Sequence, residues 1–190
     1  ISFNSNKIKK GFIFFAIKGD KLDGKKFINK AIKKGAKTII SDLKYTGYKK
    51  DVLFLNSTNP RKQLSEIACK IYKKKPKNLI AVTGTNGKTS ITNFFFQILN
   101  LNKKKVASIG TLGVNFNNAY INTNNTTLDP ITLNKILEKQ SKKNINNVIL
   151  EASSHGLKQH RLDGIDFNIG VFTNLSRDHL DYHKSFKDYF

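Results

Sequence analysis

The chain has 190 residues, 34 Lys and Arg against 13 Asp and Glu, a net charge of +21, one cysteine and no tryptophan. That length gives room for one large or two small domains with a buried core, while a single Cys69 excludes an internal disulfide framework and suits a reducing compartment. No apolar run approaches the roughly 20 residues of a membrane span, and the start, Ile1, carries no signal-peptide pattern and reads as processed or truncated. The lysines are spread along the chain without the aromatic-basic motif of a nucleic-acid module. The charge therefore predicts nonspecific attraction to polyanions and a preference for phosphorylated substrates, without a specific nucleic-acid or membrane partner. The expectation is a monomeric cytoplasmic protein.

In chain order, Gly11 precedes Phe12-Ile13-Phe14-Phe15-Ala16-Ile17, a short aromatic run that reads as a buried strand. Gly19 to Gly24 is a loop. Phe27, Ile28, Ala31 and Ile32 recur at helical spacing and Gly35 stands at the helix C-terminus. Thr38-Ile39-Ile40 and Val52-Leu53-Phe54-Leu55 are the next strands. Asn59-Pro60 caps and opens a helix whose stripe of Leu64, Ile67, Ala68, Ile71 and Tyr72 predicts a core-facing side. Cys69 lies on that helix, where a cysteine is expected to be packed rather than reactive. Lys73-Lys74-Lys75-Pro76-Lys77 ends the helix as a natural linker. The predicted organisation is a small N-terminal α/β domain, 1–76, and a second domain, 77–190, with a mostly parallel sheet flanked by helices.

The second half opens on Leu79 to Val82, an apolar strand that runs into Thr83-Gly84-Thr85-Asn86-Gly87-Lys88-Thr89-Ser90 and then an apolar helix from Ile91 to Leu99. Strand, glycine turn and helix in that order form a phosphate cradle. Gly84 and Gly87 let the backbone approach an anion, the N–H groups at the helix start point at it, and Lys88 adds a point charge. The candidate nucleotide contacts are Gly84, Thr85, Asn86, Gly87, Lys88, Thr89 and Ser90, with the Thr89 hydroxyl a candidate Mg²⁺ ligand. The general G-x-x-x-x-G-K-[ST] pattern would need glycine at position 82, where this chain has Val82; the compact Thr-Gly-Thr-Asn-Gly-Lys-Thr is narrower. It resembles the ATP loop of the Mur ligases, which add amino acids to the nucleotide-linked peptidoglycan precursor, and of the related folylpolyglutamate synthases.

Val106 to Ile109 is another strand. Gly110 to Asn125, rich in Gly, Asn and Thr, reads as a long polar loop. Asp129-Pro130 then opens a helix bearing Ile131, Leu133, Ile136 and Leu137. Asn147-Val148-Ile149-Leu150-Glu151 is a strand ending in an acid, and ligands in parallel sheets bind at such carboxyl ends. Glu151 is therefore a candidate for Mg²⁺. Ile169 to Asn174 is the last strand, followed by Asp178, His179, Asp181 and His183. That density of Asp and His lacks the Cys pairing or H-E-x-x-H of a zinc site and the G-x-S-x-G of a hydrolase.

Two further segments carry the Mur ligase resemblance. Glu151-Ala152-Ser153-Ser154-His155-Gly156-Leu157-Lys158-Gln159-His160-Arg161 is similar to the family's Glu-x-Ser-Ser-His-Gly-Leu-x-Gln-x-Arg, and Thr173-Asn174-Leu175-Ser176-Arg177-Asp178-His179-Leu180-Asp181-Tyr182-His183 to its Thr-Asn-Leu-x-x-Asp-His-Leu-Asp-x-His. The order from Ser5 through Gly11, Gly19, Asp23-Gly24 and Gly35-Ala36 resembles the N-terminal domain of the branch that adds the third peptide residue, with Asn4-Ser5-Asn6 where that branch usually has Asp-Ser-Arg. The resemblance implies ATP and Mg²⁺ as cofactors, with Lys88, Glu151 and His179 as catalytic residues and Thr89, Glu151 and His179 at the metals. It implies UDP-N-acetylmuramoyl dipeptide as substrate, touched by Phe3, Ser5, Asp20, Lys21 and Leu22 at the uridine diphosphate end. Asn125, Thr126, Thr127, Ser153, Gln159 and Arg161 would meet the muramoyl dipeptide. The second substrate is an amino acid, diaminopimelate or lysine. The implied reaction is ATP-dependent amide ligation through an acyl phosphate. Sister ligases, folylpolyglutamate synthesis and a noncatalytic nucleotide- or nucleic-acid-binding fragment are the competing readings. Family members also carry a carbamate-modified lysine and a C-terminal domain beyond the residues matched, so these 190 residues alone are expected to be inactive.

Overall fold

The computed structural model describes residues 1–19, 22–116, 119–123, 125–176, 182, 183 and 185. Its packing divides the chain into two compact units, 1–68 and 69–190.

The first unit holds a four-stranded sheet in the order β1-β2-β4-β3, built from β1 (Ile13–Phe15), β2 (Thr38–Ser41), β3 (Gly47–Lys49) and β4 (Val52–Asn56). β1, β2 and β4 run parallel; β3 joins the edge antiparallel. Helix α1 (Ile28–Lys33) crosses from β1 to β2 and stops at Gly35, whose φ of 96° is the left-handed turn a helix C-terminus favours. Phe14, Ala16, Ile28, Ala31, Ile39, Val52 and Phe54 close one core. β3 was not legible in the sequence. It is short and polar, and its Tyr48 is 70% exposed, so it carries no apolar alternation.

Helix α2 (Pro60–Ile71) starts where Asn59 Oδ1 accepts the Lys62 N–H at 3.0 Å. The expected core stripe is corrected at its end. Leu64, Ser65 and Ala68 are buried, whereas Ile71 is 49% exposed, because the helix terminates there and its last turn leaves the packed face. The division between units also falls earlier than the lysine run that marks a linker. Cys69 packs against the second core and its thiol donates to the Gly164 carbonyl, so this residue belongs by contact to the second unit.

The second unit is a six-stranded sheet in the order β10-β5-β9-β6-β7-β8. Its strands are β5 (Asn78–Thr83), β6 (Val106–Gly110), β7 (Gly113–Phe116), β8 (Ala119–Ile121), β9 (Asn147–Glu151) and β10 (Ile169–Phe172). The four from β10 to β6 are parallel, and β7 and β8 add antiparallel strands. Pleating sends alternate side chains to opposite faces. Leu79, Val148 and Leu150 therefore meet Leu133 and Leu137 of α4 (Pro130–Lys142), while Ile80, Val82 and Ile149 meet Ile91 and Phe95 of α3 (Lys88–Leu101). Each fully buried Leu contributes about 1.5–3 kcal/mol. α4 begins as its sequence predicts, with the Asp129 carboxylate accepting the N–H groups of Ile131 and Thr132 and Pro130 in the first turn.

The expected loop between Gly110 and Asn125 is corrected. It contains the β7–β8 pair, with Val114 at 0% and Phe116 at 7% exposure inside the main core and Asn115 between them facing the other way. The apolar-polar-apolar triplet was the available signal; the surrounding glycines and asparagines concealed it, because pairing with β6 supplies stability that the composition does not show. Phe116→Ala should cost about 3–5 kcal/mol, whereas Tyr120→Ala on the exposed side of β8 should stay within about 0.5 kcal/mol. Urea unfolding of the two variants checks this, and equal costs would remove the hairpin from the core.

Candidate active site

The phosphate loop sits between β5 and the start of α3, at the carboxyl end of the parallel strands. Gly84 and Gly87 have φ of 127° and 86°, backbone that L side chains rarely adopt. The N–H groups of Lys88, Thr89 and Ser90 open α3 and have no carbonyl one turn back, which with the lysine makes that turn a candidate anion site. Lys88 Nζ donates to the carbonyls of Gly84 and Thr85 at 2.6 and 2.8 Å and so arches over the loop.

Thr85 and Asn86 are bonded to the residues that follow β10. The Thr85 N–H is taken by the Asn174 carbonyl at 2.9 Å, and the Thr85 hydroxyl bonds both backbone groups of Ser176. The Asn86 N–H goes to Asn174 Oδ1 at 3.0 Å, while Thr173 Oγ1 and Asn174 Nδ2 donate to the Asn86 carbonyl. These two residues brace the loop on the tip of β10. Thr173, Asn174 and Ser176 are therefore loop-holding residues that sequence reasoning missed, since nothing local links positions 85 and 174.

On the other flank stands Glu151, at the tip of β9 and 2% exposed. Its Oε2 accepts the Thr89 hydroxyl at 2.9 Å and the Thr111 hydroxyl at 3.2 Å; its Oε1 accepts the Thr111 N–H at 2.8 Å. The sequence reading placed Thr89 and Glu151 together, and the fold does so across 62 residues of separation. Thr111 was missed. Gly110 explains part of its placement, because a Cβ there would lie 2.1 Å from Glu151 Oε1. Gly110→Ala should therefore push the whole Glu151 side chain, Cγ and Cδ included, off its three hydrogen bonds. A loss of tenfold or more in Mg²⁺-dependent nucleotide affinity in calorimetry, with a stability cost of about 1–3 kcal/mol in urea unfolding, is the expected result.

The segment after Glu151 forms a second cluster. Thr127, 2% exposed, donates to the Glu151 carbonyl at 2.9 Å, accepts the Ser153 N–H at 2.9 Å and meets Ser153 Oγ at 3.0 Å. Ser153 in turn caps α5 (Ser154–Lys158) through the Gly156 N–H. Arg161 donates to Gln159 Oε1 at 3.2 and 2.8 Å and to the Thr127 carbonyl. Ser153, Gln159 and Arg161 are thus gathered around Thr127. Thr127 is buried within the cluster and ties it down, while Asn125 is exposed and Thr126 reaches Thr111 at 3.0 Å, linking this group to Glu151. In the first unit Phe3 and Leu22 are exposed, and Ser5 is buried in a short 3-10 turn capped by Asn4. Asp20, Lys21 and His179 lie outside the described residues.

A glycine phosphate loop between strand and helix, flanked by a carboxylate on the adjacent strand tip of a mainly parallel sheet, defines a nucleotide-binding α/β domain. The chain belongs to the Mur ligase family, matching the Mur ligase middle domain over residues 82–190 and the Mur ligase catalytic domain over residues 1–72. It is 43% identical to the UDP-N-acetylmuramoyl-L-alanyl-D-glutamate--2,6-diaminopimelate ligase of Buchnera aphidicola subsp. Schizaphis graminum, with all of this chain and 40% of that protein aligned. The ligases of the same name from Rickettsia conorii and Bradyrhizobium diazoefficiens are 43% and 40% identical, over all of this chain and 40% and 39% of theirs. A solved structure of such a ligase superposes with a TM-score of 0.82 at 34% identity, covering 99% of this chain and 38% of that one. MurF ligase from Thermotoga maritima in complex with ADP shares the fold, with a TM-score of 0.64 at 22% identity over 99% of this chain and 40% of that one. The chain spans about two fifths of the length of the curated relatives it matches.

Proposed function

We propose that the protein carrying this chain is an ATP-dependent amide ligase of peptidoglycan precursor synthesis, joining 2,6-diaminopimelate to the D-glutamyl carboxylate of UDP-N-acetylmuramoyl-L-alanyl-D-glutamate. The observation that carries this is the Thr89–Glu151–Thr111 cluster beside the phosphate loop, with the Ser153–Gln159–Arg161 group joined to it through Thr126 and Thr127. The names of the 40–43% identical relatives support the choice of substrate.

The donor set fits Mg²⁺. One hydroxyl and one buried carboxylate, 2.9 Å apart, are what this ion takes from a protein when phosphates and water complete its shell. Thr89 and Glu151 would hold the ion, and His179 is proposed for a second one. Bound there, Mg²⁺ neutralises phosphate charge. The chain's own part is positioning and charge. The N–H groups at the start of α3 and the Lys88 ammonium hold the triphosphate, so that a substrate carboxylate can take the γ-phosphoryl group and an amine can then displace phosphate from the acyl phosphate. Arg161 has the fork geometry that pairs with a substrate carboxylate. Asn125, Thr126, Ser153 and Gln159 are proposed beside it, with Phe3, Ser5, Asp20, Lys21 and Leu22 toward the uridine diphosphate end. The domain roles follow, the first unit for the UDP moiety and the second for ATP, in a monomeric cytoplasmic enzyme.

The test is the full-length enzyme with ATP, Mg²⁺ and the UDP-muramoyl dipeptide, offered diaminopimelate, lysine, or dihydropteroate with glutamate in parallel. Amide product and ADP with diaminopimelate alone are expected. Turnover only in the pteroate arm would transfer the protein to folate chemistry.

A further inference from the structure

Beside Glu151, α3 packs against β6 and β9 with a polar cleft in the seam. Thr89, Thr92, Asn93, Ser108, Asn115 and Glu151 line it. Such a seam is ordinarily apolar. Here Thr92 is only 4% exposed, and its hydroxyl has no hydrogen-bond partner among the described residues. Ser108, also 4% exposed, accepts a long bond from Asn115 Nδ2 at 3.4 Å and keeps its own proton to donate.

An orphaned buried hydroxyl costs about as much as a lost hydrogen bond unless something else satisfies it. The cleft has room for about one water molecule, and an ordered water needs two to four polar partners. Thr92 Oγ1, Ser108 Oγ and the carboxylate provide them. Glu151 has roughly four acceptor positions: the Thr111 N–H and hydroxyl use two, the Thr89 hydroxyl a third that it would yield to Mg²⁺, and one remains for a donor from the cleft. We propose that Thr92, Ser108 and Asn115 form a built-in site for one water molecule beside Glu151, through which Thr92 acts as a positioning residue for that carboxylate. A threonine one turn along α3 from Thr89 thereby steadies, through the water, the acid that Thr89 and Thr111 hold directly. The positioning role rests on the proposed Mg²⁺-nucleotide site; the water itself does not.

Thr92→Val, which keeps the side-chain shape and removes the hydroxyl, separates the possibilities, with Thr92→Ser as the variant that keeps the hydroxyl. With a bound water, Thr92→Val strands its remaining partners and should lower the melting temperature by about 2–4 °C. In a dry cleft the same change removes an orphaned group and should leave the melting temperature unchanged or raise it, which would overturn the proposal. A crystal structure of the wild-type protein beyond about 1.8 Å should show water density within hydrogen-bond distance of Thr92 Oγ1 and Ser108 Oγ; an empty cleft overturns it equally. In titration calorimetry, Thr92→Val should raise the Mg²⁺ concentration needed for half-maximal ATP binding by threefold or more, and Thr92→Ser should restore the wild-type value. Wild-type protein that binds no Mg²⁺·ATP would fail the proposed function while leaving the water density and the melting shift to decide the site.

Discussion

Replacing Lys88 by alanine should reduce ligation by the full-length enzyme at least a thousandfold while moving its melting temperature by only a few degrees. The ammonium lies over the loop, donating to the Gly84 and Thr85 carbonyls at 2.6 and 2.8 Å, and is the only side-chain cation among the described residues of the loop itself. Those two bonds are local, at separations of four and three residues, and Thr83 and Thr85 are also held by Thr173 and Asn174, so their loss loosens the loop without dismantling the sheet. A preorganised donor aimed at developing phosphate charge accounts for roughly 10²–10³ in turnover by itself, and loss of ground-state triphosphate binding adds to that. Product formation and thermal melting on the same preparation measure both parts. Wild-type turnover in the variant would take the loop out of the chemistry.

Gly84→Ala should be the most damaging single-methyl change in the site, costing about 3–5 kcal/mol and abolishing nucleotide binding. Its added Cβ would lie 2.1 Å from Thr173 Oγ1 and 2.8 Å from the Asn174 carbonyl oxygen, and the backbone there has φ of 127°. Overpacking and backbone strain each cost about 1–3 kcal/mol, and here they coincide. The neighbours that must retreat are the Thr173 hydroxyl and the Asn174 backbone, which also carry bonds to Asn86 and Thr85, so the loop is released as they move. Gly87→Ala provides the control. It has φ of 86° but nothing within 4 Å of the new methyl, so strain of about 1 kcal/mol is its whole cost to stability. Urea unfolding of both variants resolves the difference, and equal destabilisation would mean that the β10 tip does not press on the loop.

The contrast between these glycines marks what could be read from the chain alone. Strand, glycine turn, lysine and helix are local, and their periodicity and turn residues determined β5, the loop and α3 before any contact was known. The same holds for the Asp129 cap and for Glu151 at the end of an apolar strand. The motif segments further identified the family. What the chain could not disclose is pairing between distant positions. Asn174 bracing Thr85 and Asn86, Thr111 holding Glu151, and Gly110 leaving space for that carboxylate depend on β10, β9 and β6 lying side by side, and strand order is decided by which faces bury best together. For the same reason β7 looked like a loop and became core, and Ser65 replaced Ile71 on the buried side of α2. Local chemistry is written in consecutive residues. The second partner of each contact is supplied only when the sheet closes, because hydrophobic burial is non-directional and leaves register to the packing of the whole.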